Sequence, residues 1–481
     1  MYAATTSVAL VGGDAREVRV EAHVGRQQEA FKLSGLPDTS VREAKDRVRA
    51  AVASSGIRFP NRTVTVNLAP ADLPKGGTDY DLPIALGVLA ACREVPHLEP
   101  AVVVGELALD GSVRPGSSAL VAGVVSARCS MPALVAVDSA AEAASVPGAV
   151  VYGVESLAHA VEMLRKGIEA GVPVLPEVDS TPSDFEDLAD VKGQLIARRA
   201  LEIAAAGRHH LLLYGPPGAG KTMLASRLPG LLPPLSDSEA IEVGMLWAAA
   251  GRGRGLDRLP PFRAPHHTAS KAALVGGGSG IVVPGEASLA HRGVLFLDEL
   301  AEFPRGHLDT LRQPLESGSV TVARRGSSVD FPADFQLIAA TNPCPCGYHG
   351  DRRRPCECRP TARARYRSRL SGPLLDRFDL IVHTTRVDLE DIDDRVSEPS
   401  AAVSDRVRGA RSRRASRTHA DEHDFSDPLI RGALEAGRLT LRGALKVSRV
   451  GRTIADLDDS EGVQEQHMAE AIGLRGDWVD G

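Results

Sequence analysis

Aromatic side chains are scarce in this chain of 481 residues: with only 2 Trp, they make up 4% of the sequence. Its core must therefore be mostly aliphatic. No stretch reaches ~18 uninterrupted apolar residues, so no membrane span is expected. The opening MYAATTSVALVGGDAREVRV lacks a basic region followed by a long apolar run and does not read as a signal peptide. Positive charge is not in excess: 56 Lys and Arg against 62 Asp and Glu leave −6. The chain as a whole is no polycation, and any contact with nucleic acid has to come from local basic patches. Cysteine is sparse as well, at 6 residues. Four of these, Cys344, Cys346, Cys356 and Cys358, stand close together in the sequence. In a chain with no export signal such a cluster points to metal binding before disulfides, and to the cytoplasm as compartment.

What is present suits a soluble protein of two or three domains, with 43% hydrophobic and 25% charged residues. Residues 1–166 read as one α/β domain. Strand-like runs lie at Ser7–Val11, Val18–Val24, Arg62–Asn67 and Ala101–Val104, and helix-like segments at Thr39–Ser55 and Leu82–Cys92. Ala149–Val154 and Leu157–Lys166 complete it as a strand and a helix. Residues 167–183 have the Pro-rich, acidic, aperiodic composition of a linker. A second α/β region covers 184–386. Its short apolar runs, His210–Tyr214, Gly293–Leu297 and Phe335–Ala340, suit buried parallel strands. Residues 387–481 turn polar and charged, then helical.

Gly215-Pro216-Pro217-Gly218-Ala219-Gly220-Lys221-Thr222 fits G-x-x-x-x-G-K-[ST] between an apolar strand and a helix. That is the context in which such a loop wraps backbone N–H groups around phosphate oxygens. Lys221 is expected to reach the β- and γ-phosphates of ATP, and Thr222 to hold Mg²⁺. GVLFLDEL (293–300) brings Asp298 and Glu299 to the end of another buried strand. Asp298 suits the Mg²⁺ shell and Glu299 the polarisation of the attacking water. Asn342, after the strand Phe335–Ala340, is placed to orient that water. In SGPLLDRFD (371–379), Arg377 suits a finger supplied to a neighbouring subunit. Arg442, at the start of a C-terminal helix, is expected to face the same phosphates.

The order of these motifs and the text between them resemble the magnesium-chelatase-like AAA+ ATPases of the YifB/ComM group. The segments carrying the resemblance are DVKGQLIARRALEIAAAG (190–207), GPPGAGKT, PFRAPHHTAS (261–270), GEASLAHRGVLFLDEL (285–300), LRQPLESG (311–318), NPCPCG (342–347), SGPLLDRFD and RTIADL (452–457). They cover nearly the whole chain. The resemblance implies a Lon-protease-like α/β N-terminal domain (1–166), a P-loop AAA+ α/β core (184–386) and a small all-helical C-terminal lid (387–481). It also implies a homo-oligomeric ring, usually a hexamer, with ATP between subunits and Arg377 acting in trans. Val320–Phe331 resembles the family's hairpin, and its alternation supports one independently. Arg324 and Arg325 at its tip are candidates for DNA contact.

In the N-terminal domain, Thr78, Asp79 and Tyr80 stand where the Lon segment carries its serine, and no lysine follows until Lys166. A Ser–Lys dyad cannot be placed, and the domain reads as a proteolytically degenerate scaffold. Cys344-x-Cys346 and Cys356-x-Cys358 offer four thiolates to a structural Zn²⁺, with reduced thiols or a disulfide pair as the other readings. The arginines around this cluster, and those from Arg406 to Arg417, suit either phosphate contact or a solvated loop. His266 and His267 suit an inter-subunit or DNA-facing surface, and a metal role is disfavoured because adjacent histidines in a strand point to opposite faces. Taken together, the expectation is an Mg²⁺-dependent ATP hydrolase that moves on DNA, a ComM-like helicase with recombination proteins as partners and no membrane contact. The alternative is a chelatase-type ATPase that remodels a protein or metal-insertion partner.

Overall fold

Two alternating runs flank Gly12-Gly13, and the chain reverses there. Strand β1 (Tyr2–Val11) pairs antiparallel with β2 (Asp14–Val24), with Val11 opposite Asp14. Both turn glycines have positive φ, 62° and 90°, as a two-residue hairpin turn requires. The computed structural model describes residues 1–26, 29–95, 100–176, 185–278, 282–324, 327–351, 353–386, 397–417 and 427–476.

The N-terminal sheet adds β3 (Ala30–Ser34), β4 (Thr63–Ala69) and β5 (Val102–Val103). A separate two-stranded ladder, β6 (Glu106–Leu107) with β7 (Val113–Arg114), precedes β8 (Ala133–Ala136) and β9 (Val151–Val154). The seven-stranded order is β3-β4-β2-β1-β5-β8-β9. Helices Thr39–Ser54, Asp81–Ala91 and Leu157–Lys166 pack against one face and Ala119–Cys129 against the other, each over its own aliphatic cluster. Two boundaries differ from the sequence reading. β1 begins at Tyr2, because its whole length has a partner in β2. β3 escaped notice because its residues are half-buried or exposed and carry no clean alternation. The expected linker is also not all free chain. Ile168 is buried, and the N–H of Val174 donates to the Val151 carbonyl at 2.8 Å, so its first part is docked beside β9.

The second sheet is parallel throughout, in the order β11-β12-β15-β10-β16. Its strands are β10 (Leu211–Tyr214), β11 (Phe262–Arg263), β12 (Val294–Leu297), β15 (Gln336–Thr341) and β16 (Leu380–His383). Between β12 and β15 stands a hairpin, β13 (Ser319–Arg324) and β14 (Ser327–Pro332). Leu212, Leu295, Leu337 and Ala339 face one layer, around Phe303 and Phe378. Leu211, Leu213, Ile338 and Ala340 face the other, where helix Leu195–Gly207 packs with Ser400–Ala415, Leu441–Leu457 and Glu465–Gly473. The C-terminal helices therefore share one core with the sheet. No described helix is long and apolar enough to cross a membrane.

The two sheet units touch. A Cβ at Gly12 would lie 2.7 Å from the Asp330 carbonyl oxygen of β14, and one at Gly13 would lie 3.2 Å from Leu246 of helix Asp237–Ala249.

Candidate nucleotide site

The parallel strands all point one way, so the loops after β10, β12 and β15 gather at one rim. This is where open α/β sheets bind ligands. Gly215 follows β10 so closely packed that a Cβ would sit 2.1 Å from the Thr384 carbonyl oxygen. Gly218 and Gly220 take φ of 80° and 77° with open space beside them, which lets the loop curl. Lys221, at the head of helix Lys221–Arg227, is buried and donates to the carbonyls of Gly215 (2.8 Å) and Pro216 (2.9 Å) and to Asn342 Oδ1 (3.2 Å). Burial lowers its pKa to about 8, and Asp298 opposes only part of that. An ammonium held mainly by neutral acceptors in this way is ready for an anion.

Thr222 Oγ1 donates to Asp298 Oδ2 at 2.8 Å, bringing the two expected Mg²⁺ ligands together. Glu299 follows with φ 52°, its N–H bonded to Asp298 Oδ1 at 2.8 Å. Its carboxylate meets His267 Nδ1 at 3.2 Å. Thr222, Asp298, Glu299, His266 and His267 line one cavity of about 330 Å³. The expectation for the two histidines needs correcting. They lie in the loop after β11 and not in a strand, with ring centroids 4.1 Å apart and planes tilted by 34°. The partnership of His267 with Glu299 has no sequence signal beyond the PHHTAS segment itself.

Arg377 lies at the opposite rim. It precedes β16, whose first residue pairs with the first residue of β10. A strand of four residues separates that rim from the phosphate loop by ~13 Å. Arg377 is mostly buried and pairs with Glu316, and neighbouring Arg442 and Arg312 join burial in lowering its pKa. Arg442 thus stands beside Arg377 and away from the phosphate loop of its own chain. Lys446, one helical turn beyond Arg442, donates to the Arg377 carbonyl at 2.5 Å and pairs with Asp379 at 2.9 Å. Burial pushes the Asp379 carboxyl up, but Lys446 and the histidines below it outweigh that and hold it at about 2. Desolvation pushes His209, which is buried, and His210, which is half-buried, down to about 4. Lys446 was not singled out in the sequence, where it is one more basic residue on an amphipathic helix.

The four cysteines converge. Cys344 Sγ lies 3.4 Å from Cys346 and 3.6 Å from Cys356, and all four sulfurs fall within 4.8 Å of one another. A tetrahedral ion with M–S bonds of ~2.3 Å has S···S edges of ~3.8 Å, so the group fits a metal ion, and the thiols are not joined as disulfides. Much of the arginine run 406–417 is used by the fold. Arg406 binds Glu202 and Glu398, Arg411 donates to the Ala205 carbonyl, and Arg417 pairs with Asp456. These contacts pin helix Ser400–Ala415 onto the core, a reading in addition to phosphate contact or solvated loop. Arg324 ends β13, and Arg325 lies outside the described residues.

In the N-terminal unit, Ser118 Oγ donates to Asp79 Oδ2 at 2.6 Å, and burial raises the Asp79 pKa. Arg47 and buried Asp81 form an ion pair at 2.6 Å. Ser118 thus has a carboxylate partner and not the lysine that a Ser–Lys dyad requires.

Residues 187–392 match the family described as magnesium chelatase, subunit ChlI. Residues 20–137 match subunit ChlI of Mg-chelatase, and residues 397–475 match the ChlI C-terminal family. The chain is 44% identical to an uncharacterized protein of Mycobacterium tuberculosis over 98% of its own length and 97% of the relative's. It is 42% identical to the uncharacterized protein YifB of Escherichia coli, over 97% of this chain and 96% of that one. To the competence protein ComM of Haemophilus influenzae it is 41% identical, over 98% and 96%.

Proposed function

The chain belongs to the magnesium chelatase subunit ChlI family of AAA+ proteins, in the company of YifB and ComM, and from that premise we propose an Mg²⁺-dependent ATPase ring that couples hydrolysis to movement along DNA. The family and the phosphate loop together imply ATP and Mg²⁺ as ligands. In this reading Lys221 and the N–H groups of residues 215–222 hold the phosphates. Thr222 and Asp298 would hold Mg²⁺, which supplies charge neutralisation at the transferring phosphoryl group. Glu299 polarises the attacking water, and Asn342 orients it.

The observation that carries the ring is the separation of the parts. Arg377 and Arg442 stand at the opposite rim from the phosphate loop of their own chain, a strand's length away, and Arg312 adds to the same positive rim. A head-to-tail neighbour would bring this rim onto its partner's nucleotide and complete the site in trans. The ring is proposed to be a hexamer.

DNA as the track is supported by hairpin β13–β14, whose first strand ends in Arg324, and by the likeness to a competence protein. Branch migration during recombination or transformation, with recombination proteins as partners, is the proposed setting. The family description favours a second reading, a chelatase-type ATPase that remodels a protein or metal-insertion partner. The N-terminal unit is proposed as a proteolytically inert, Lon-like scaffold, supported by Asp79 beside Ser118. The cysteine group is proposed to hold structural Zn²⁺, since four thiolates leave no open position. Steady-state ATPase rates alone and with single-stranded, double-stranded and branched DNA test the proposal. Stimulation by DNA that disappears in Glu299→Gln is expected. A rate indifferent to every DNA would move the assignment to the remodelling reading.

A further inference from the structure

The cysteine group is built into the catalytic rim. β15 ends at Thr341, and only Asn342 and Pro343 stand between it and Cys344. The backbone turns sharply there, with the Gly347 N–H bonded to the Cys344 carbonyl at 2.9 Å and a φ of 83° at Gly347. A Cβ on Gly347 would lie 2.7 Å from Pro217 Cδ and 3.9 Å from Asn342 Cγ. The tip of the cysteine turn thus rests on the phosphate loop and beside the residue that contacts Lys221.

The second pair of cysteines returns to the same place. The Cys346 N–H donates to Cys358 Sγ at 3.3 Å, and Cys356 Sγ lies 3.6 Å from both Cys344 and Cys346. Helix Pro360–Arg367 begins one residue after Cys358, with Arg359 as its N-cap. From it, buried Tyr366 packs in the same apolar layer as Leu337 and Ala339 of β15, and Arg363 meets His349 at 2.8 Å. Asn342 therefore leads directly into a loop whose two ends meet at four sulfurs. Without a cation the thiols make only weak contacts with one another. With one, the loop is closed by four strong bonds.

We propose that a metal ion at Cys344, Cys346, Cys356 and Cys358 is the positioning element of the nucleotide site. It fixes Asn342 against Lys221 and holds Gly347 on Pro217. Nucleotide affinity and turnover then depend on an ion that touches neither phosphate nor water. This rests on the Zn²⁺ reading given above and adds a role to it.

The test uses the full-length protein, purified reduced. Zinc is counted by elemental analysis and then removed with a thiol-displacing reagent and a chelator. Affinity for a fluorescent ATP analogue, ATPase rate and far-ultraviolet circular dichroism are read before and after removal, and again after zinc is returned. Expected are one zinc per chain, a loss of about tenfold or more in both affinity and rate on removal, and recovery on return. Purified protein that neither contains nor takes up zinc would sink the Zn²⁺ reading itself. Zinc bound but removable with no change in affinity or rate would overturn the positioning role alone.

If the stripped protein unfolds, Gly347→Ala decides. It leaves all four cysteines in place and should keep zinc, yet its new methyl meets Pro217 and should weaken the analogue about tenfold. Gly347→Ala combined with Pro217→Ala should regain part of that loss, which backbone strain at residue 347 alone would not allow. Unchanged affinity in zinc-loaded Gly347→Ala overturns the proposal.

Discussion

The two rims of the parallel sheet hold charge in opposite ways. At the C-terminal rim, Lys221 is held by two carbonyls and an amide oxygen, and burial has drawn its pKa down to about 8. At the N-terminal rim, Lys446 is paired with a carboxylate held at about 2. One rim keeps a cation short of a counter-ion, and the other keeps an ion pair closed. The first arrangement is costly until an anion arrives, so it suits binding. The second fixes a backbone carbonyl and so suits aiming Arg377 at something outside its own chain.

The sharpest way to break this comparison is Arg377→Ala. Loss of a trans arginine is expected to cost ~10³-fold or more in turnover with ATP affinity little changed. Mixed with Lys221→Ala protein, it should regain measurable activity, because mixed rings contain intact sites. A mixture as dead as its parts would show that the rims do not meet between subunits. Glu299→Gln should bind ATP and lose ~10²-fold or more in turnover, and near-normal turnover would mean that another residue orients the water. Lys221→Ala should weaken ATP binding by ~10²-fold or more, read by analogue titration. Normal affinity there would remove the phosphate-loop assignment.

Lys446→Ala leaves Asp379 buried without its cation. It should cost about 3 kcal/mol of stability, lower turnover about tenfold and spare ATP affinity. A variant that lost stability but kept its rate would reduce Lys446 to a strut. The smallest effects are those of pH. Phosphate raises the Lys221 pKa above its unliganded value of about 8, so affinity is full below that pH. It should decline as pH rises through 8, by at most tenfold per unit. At the other rim, His209 and His210 take protons near 6.5 when unfolded but only near 4 when folded. Stability is thus present above 6.5 and lost as pH falls toward 4, which thermal melts across that window would show.

The C-terminal rim was largely legible in the sequence. Gly215–Thr222, Asp298 and Glu299 are each carried by a local pattern, a glycine-rich turn or an apolar run ending in acids. The structure brings Asn342 to Lys221 and Thr222 to Asp298, as those patterns require. The N-terminal rim was not legible. The hold of Lys446 on Asp379 and on the Arg377 carbonyl joins segments about seventy residues apart through contacts that leave no periodic trace. The same holds for His267 beside Glu299 and for Gly347 on Pro217. Arg406 and Arg417 read as a basic patch because composition alone does not show that Glu202 and Asp456 lie within reach. β3 stayed hidden because a half-exposed edge strand lacks the alternation that β2 displays.

β15 joins two working parts with almost no slack. Its far end delivers Asn342, and its near end follows the hairpin β14 after only Ala333, Asp334 and Phe335. That short joint is bolted in place, since Asp334 is gripped by Arg208 and Arg292 and the Ala333 N–H is bonded to Gly318. Gly12 and Gly13 press on the hairpin's other side. Six paired residues, ~20 Å long, thus form a rigid rod between the hairpin and Asn342. A rod of this kind does not amplify motion. A displacement imposed on Asn342 would reach the hairpin at the same size.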